Sequence, residues 1–210
     1  MSAAQSEPPA LAAATAMFIE VLVVGIGFMT GLALLAVAAA GPQTAAKAAP
    51  LAGSTPAAGA CLAAAYALGI LVDRAVDKAL APIRRRLRKV SFPSDSAYAQ
   101  ARLNLATLPA LIALADYARS RMRICRGWIL NTALLTVASD LALLRYDIEH
   151  RSLLLALATA LGLLLTAGFY LSWHTITATG YRKLAQQTAG LTASLPPQTN
   201  STPTTPAAAD

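Results

Sequence analysis

Residues 128–173 read WILNTALLTVASDLALLRYDIEHRSLLLALATALGLLLTAGFYLSW, and this stretch decides the fold class. From Trp128 to Leu144 and again from Leu153 to Trp173 the chain is apolar. Each run approaches or exceeds the roughly 20 residues that carry a helix across the ~30 Å hydrocarbon layer. Between them Arg145 to Ser152 is polar and short, which predicts a tight turn joining two antiparallel helices. A helix satisfies its own backbone in lipid, so no other element needs to be invoked.

Working outward, two more runs have the same character, from about Ala16 to Ala40 and from about Ala57 to Val72. Gly41-Pro42-Gln43 ends the first, and Gly53-Ser54-Thr55-Pro56 precedes the second. The chain as a whole is 56% hydrophobic and only 13% charged, where soluble domains carry about 25% charged residues. With a mean hydropathy of +0.54, the composition excludes an ordinary soluble core. The expected fold is therefore an all-α membrane protein of four transmembrane helices. Its expected parts are a short N-terminus (1–15), a first hairpin (16–72), a basic helical loop (73–127), a second hairpin (128–173) and a tail (174–210). The tail is expected to be disordered from about Leu195, where Pro, Thr, Ser and Ala bury too little apolar area to order a chain.

Charge distribution predicts the orientation. Arg74, Lys78, Arg84, Arg85, Arg86, Arg88, Lys89, Arg102, Arg119, Arg121, Arg123 and Arg126 all fall between the second and third spans. Arg182 and Lys183 follow the fourth span on the same side, leaving only Lys47, Arg145 and Arg151 opposite. The positive-inside rule then puts the loop and both termini in the cytoplasm of a cell-membrane protein. Trp128 and Trp173 fall at the same ends of their spans, where indoles anchor at the interface. A competing pattern is LLAVAAAG at Leu34 to Gly41, a possible signal-peptide cleavage site. The first 16 residues lack Lys and Arg and contain Glu7, which argues against it.

Lipid provides no hydrophobic drive between apolar helices, so small and polar residues mark contact faces. Gly27 and Gly31 have GxxxG spacing, with Gly25 nearby, and Gly59, Ala63 and Ala67 repeat at i+4 on the second span. On the third span Thr132, Thr136 and Asp140 stand at i, i+4 and i+8, with Asn131 and Ser139 beside them. Thr159, Gly162, Thr166, Tyr170 and Trp173 form a comparable stripe on the fourth. These stripes are expected to hydrogen-bond across the hairpin; a sharper alternative is a hydrated path. Asp140 is the residue of note, because an intramembrane carboxylate costs at least ~2.5 kcal/mol and is a functional candidate by default. Its bland alternative is contact with water, Arg145, His150 or Arg151. Glu20 lies near the inner surface and is expected to face Arg123, Arg126 or His174.

The loop is expected to be helical. Val76, Leu80, Ile83, Leu87 and Val90 step by four, three, four and three, an apolar seam with Arg and Lys on the other faces. After Ser91-Phe92-Pro93, Ser94 or Asp95 is placed to cap a second helix, giving a basic helical hairpin. Leu103 to Ala115 is too short to cross and is expected to bury against the first cytoplasmic helix or the interface. Asp116 is spaced to pair with Arg119, and Arg119, Arg123 and Arg126 share a face. Arg84, Arg85, Arg86, Arg88, Lys89, Arg119, Arg123 and Arg126 are thus the candidate residues for anionic lipid or a cytoplasmic partner.

Catalytic chemistry is not legible. The sequence holds no Walker loop, GxSxG, HExxH or CxxC. His150 and His174 fall near opposite faces, as do Cys61 and Cys125, so neither pair can share a metal or a disulfide. No residue is assigned a catalytic, cofactor-binding or metal-ligating role. Asp73 and Asp77 could hold Mg²⁺ for lipid-phosphate chemistry, but Arg74 and Lys78 stand beside them. The expectation is a non-enzymatic scaffold or accessory subunit that meets membrane lipids and a cytoplasmic protein or its own copies. Nucleic acid is disfavoured, since membrane topology already accounts for the charge. The alternatives are an oligomeric pore lined by the third and fourth spans and a lipid-modifying enzyme.

Overall fold

The computed structural model describes residues 9–41, 43, 47, 55–106 and 109–194, so the tail from Leu195 lies outside the described residues. Those residues form five helices: α1 (Pro9–Ala40), α2 (Thr55–Ser91), α3 (Asp95–Ala106), α4 (Pro109–Arg145) and α5 (Arg151–Ser194). All but α3 are long and apolar enough to cross a membrane. Leucines 157, 161, 163, 164 and 171 of α5 are exposed, a surface suited to hydrocarbon and too apolar for water.

The helices outrun the spans read from the apolar runs. At 37 and 44 residues, α4 and α5 are about 55 and 66 Å long at 1.5 Å per residue. Their shared turn, Tyr146 to His150, is short, so the surplus of both projects at the opposite end. There it meets the C-terminal turns of α2, which also runs unbroken through Pro82. This is the charged end of the molecule.

Helix α4 packs between α1 and α5, and α1 packs on α2, while α1 and α5 do not touch among the described residues. The α1–α2 crossing is built from Val21 and Gly25 against Ala65 and Gly69. A Cβ on Gly25 would overlap the Ala65 carbonyl, and one on Gly69 would overlap the Val21 carbonyl. Only hydrogen at both positions allows backbones this close. The expected face of Gly59, Ala63 and Ala67 is instead exposed, and nothing lies within 4 Å of a Cβ on Gly59. Gly27 and Gly31 do form a contact face, but toward Asn131 and Leu134 of α4.

The core beside this crossing is Val24, Val72 and Val76, packed by Phe28, Leu80, Trp128 and Leu130. The apolar seam of α2 packs inward at Val76 and Leu80, Ile83 and Leu87 are half-buried, and Val90 is 83% exposed. Trp173 is buried within the protein, and Trp128 stacks on Phe169 at 5.9 Å. Both indoles thus pack between helices.

At the far end Tyr146 donates its hydroxyl to the Val37 carbonyl at 2.6 Å, tying the α4–α5 turn to the end of α1. At the charged end Ser94 caps α3, its hydroxyl accepting from the Ala97 N–H at 3.1 Å. Helix α3 lies against α4 and α5 and makes no helix-packing contact with α2. Leu105 joins the cluster of Phe92, Ala101 and Leu184 with Tyr98 and Tyr181, while Leu103 is exposed. Of the segment Leu103 to Ala115, expected against α2 or the interface, Leu105 packs with Leu184 of α5, and the side chains of 107–111, 113 and 114 lie outside the described residues.

Candidate functional site

The charged end is organised by ion pairs that cross between helices. Glu20 of α1, itself buried, accepts from Ser120 and from Arg123 of α4 at 3.2 Å. Asp73 and Asp77, one turn apart on α2, both accept from Arg126 of α4. Asp77 also accepts from Arg84. The side chains of Arg126 and Asp73 are only 15% and 16% exposed, so this fork is partly dry and its geometry fixes α2 against α4. Asp73 and Asp77 are therefore occupied by guanidinium groups. Among the described residues no three His, Cys, Asp or Glu side chains gather as a metal site, and Cys61 and Cys125 are free thiols.

Above this fork four helices border a half-open cavity of about 490 Å³. Arg84 and Arg88 reach it from α2, and Tyr98, Arg102 and Leu105 from α3. From α4 come Arg119, Met122, Arg123 and Arg126, on the one face that spacings of three and four produce. Trp173, Thr177, Gly180, Tyr181, Lys183 and Leu184 contribute the α5 wall. The aromatic side is a chain of edge-on contacts, Phe92 to Tyr98 at 5.3 Å and Tyr98 to Tyr181 at 5.8 Å. Arg88 lies over the Tyr98 ring at 5.1 Å and pairs with Asp95 at 2.9 Å.

Among the described residues the lining contains seven cationic side chains and no carboxylate, imidazole or thiol. Five of the seven have an acidic partner: Arg84, Arg88, Arg119, Arg123 and Arg126. Arg102 and Lys183 have none among the described residues; Arg102 meets only the Tyr98 hydroxyl, at 3.4 Å. The cavity thus combines cationic donors with hydroxyl, amide, apolar and aromatic groups. This is the chemistry of anion holding.

The eight basic residues singled out by the sequence divide between two places. Arg84, Arg88, Arg119, Arg123 and Arg126 line the cavity, whereas Arg85, Arg86 and Lys89 are exposed on α2 and do not. Sequence reasoning missed Arg102, Lys183, Tyr98 and Tyr181 as members of the site. A signal existed in α5, where Trp173, Thr177, Tyr181, Leu184 and Gln187 step by four, four, three and three. It marks a helical face that continues well past the apolar run.

The polar stripe also divides. Thr132 and Thr166 share a hydrogen bond at 2.9 Å, and the Thr159 hydroxyl donates to Asp140 at 2.9 Å. Thr136 sits against Gly162 and donates to the Thr132 carbonyl at 2.7 Å. Asn131 faces the other way, donating to the Val24 carbonyl of α1 at 2.8 Å. Ser139 is half-buried beside them. Asp140 makes no ion pair with Arg145, His150 or Arg151 among the described residues, and its second carboxyl oxygen is buried without a partner. No family model, curated protein or solved structure matches the chain.

Proposed function

We propose that the chain is a non-enzymatic scaffold or accessory subunit of the cell membrane, with both termini and the charged end in the cytoplasm, whose basic face docks an acidic cytoplasmic partner. The observation that carries this is the sorting of cations at the charged end. The half-buried Arg84, Arg88, Arg123 and Arg126 are matched with acids, while Arg74, Lys78, Arg85, Arg86 and Lys89 are exposed and have no ion pair among the described residues. Positions 74, 78, 85 and 89 are spaced by four, seven and four, which aligns them on one side of α2.

Anionic headgroups alone fit this stripe poorly. On an uninterrupted helix Arg85 stands about 16 Å from Arg74 along the axis, and Lys89 about 22 Å. Surface attraction decays within a Debye length of about 8 Å at physiological salt, so a membrane below Arg74 is out of range of the upper cations. A protein surface beside the helix is not. The pore alternative rests on Asp140, whose stripe is largely closed by its own hydrogen bonds. The enzyme alternative rests on Asp73 and Asp77, which Arg126 engages.

The test is affinity capture of the full-length protein, extracted gently in lipid, with and without R85Q/R86Q/K89Q. The expected outcome is a specific co-purifying protein reduced about tenfold or more in the variant. A partner retained at the parental level would end the proposal.

A further inference from the structure

We infer that the cavity at the charged end is a binding site for a phosphomonoester headgroup, a role separate from partner docking. Its volume of about 490 Å³ falls in the ~300–1,000 Å³ range of small-molecule sites. The charge balance selects the ligand class. Five acids neutralise five of the seven cations, and Arg102 on α3 and Lys183 on α5 remain. These two are exposed and belong to different walls of the same cavity. A phosphomonoester carries about −1.5 to −2 charges near neutral pH and three strong acceptor oxygens, which matches two uncompensated cations. A single carboxylate brings one charge and would leave the other cation unmatched.

The remaining surface says what the phosphate is attached to. Trp173, Met122, Leu105 and Leu184 line the same cavity, so the site accepts an amphiphile better than a bare ion. Phosphate on a lipid and phosphate on a soluble ester share this chemistry, and the two sources separate by experiment.

The measurement is native mass spectrometry of the full chain in detergent, titrated with phosphatidic acid, phosphatidylcholine and glycerol 3-phosphate. R102Q/K183Q removes the uncompensated charge without breaking an ion pair. Gly180→Leu fills the cavity while keeping every charge, since nothing lies within 4 Å of a Cβ at Gly180 and leucine is the better helix former. Expected is a phosphatidic acid adduct at least tenfold above phosphatidylcholine, reduced tenfold in both variants and unchanged in R85Q/R86Q. Displacement of that adduct by glycerol 3-phosphate at equal concentration would assign the site to soluble esters. An adduct that survives both variants, or that R85Q/R86Q removes equally, overturns the inference. Because partner capture depends on Arg85, Arg86 and Lys89, either proposal can fail alone.

Discussion

The α4–α5 interface and the charged end hold the same helices together with different chemistry. Along α4 and α5 the contacts are short and involve no ion pair among the described residues: a threonine pair, a threonine on Asp140, and a glycine under Thr136. At the charged end the contacts are ionic and long-armed, with Glu20, Asp73 and Asp77 reached by arginines from α4. Hydroxyls suit a region where an uncompensated charge is costly, and each such bond contributes only about 0.6 kcal/mol on average. Guanidinium forks suit the region where water can approach, and there one residue, Arg126, joins two acids. The comparison teaches that removing a charge should have opposite consequences at the two places.

The largest effect is expected at Arg126. Arg126→Leu strands Asp73 in a partly dry site and should cost about 3–5 kcal/mol, as breaking buried pairs does. Thermal unfolding in detergent reads it directly, and adding Asp73→Asn should recover part of the loss. A melting point equal to the parent's would mean that the ionic fork does not hold the charged end.

Next comes the crossing of α1 and α2. Gly69→Leu drives a side chain into the Val21 carbonyl, and overpacking of this kind costs about 1–3 kcal/mol. Gly59→Leu is the matched control and should be neutral, because that position faces open space. Equal destabilisation by both would return the contact face to the Gly59, Ala63 and Ala67 register.

The smallest effect is expected at Asp140. Asp140→Asn keeps an acceptor for Thr159 and removes a charge that lipid penalises, so stability should stay within about 1 kcal/mol of the parent or rise. Proteoliposomes of the same variant should show no change in ion flux. A shift in ion selectivity would instead make the stripe a conduction path and reverse the preference between scaffold and pore.

Several features are legible in the sequence. Four apolar runs of near-spanning length, a cap at Ser94 or Asp95 and the Asp116–Arg119 pair follow from spacing along one chain, and depth along a helix narrowed the partner of Glu20 to Arg123, Arg126 or His174. The contact face of α2 was not legible, because in an alanine-rich helix many registers offer small residues at i+4. Only the approach of Gly25 to Gly69 distinguishes one from the rest. Asn131 was read with the stripe of Thr132 and Asp140, yet it turns to α1, since a helix in the middle of three has two polar-competent sides.

Hydropathy and charge by themselves determined that this is a helical chain with four membrane-length helices and a concentration of cations between the second and third. Those properties sum along the chain and need no partner. Which arginines are neutralised, which stand free, and that α2, α3, α4 and α5 border a cavity were decided by tertiary structure alone. The physical reason is that an ion pair or a cavity wall depends on distances of a few ångströms between helices, and residues separated by up to 103 positions, as Glu20 and Arg123 are, carry no local signal of that approach.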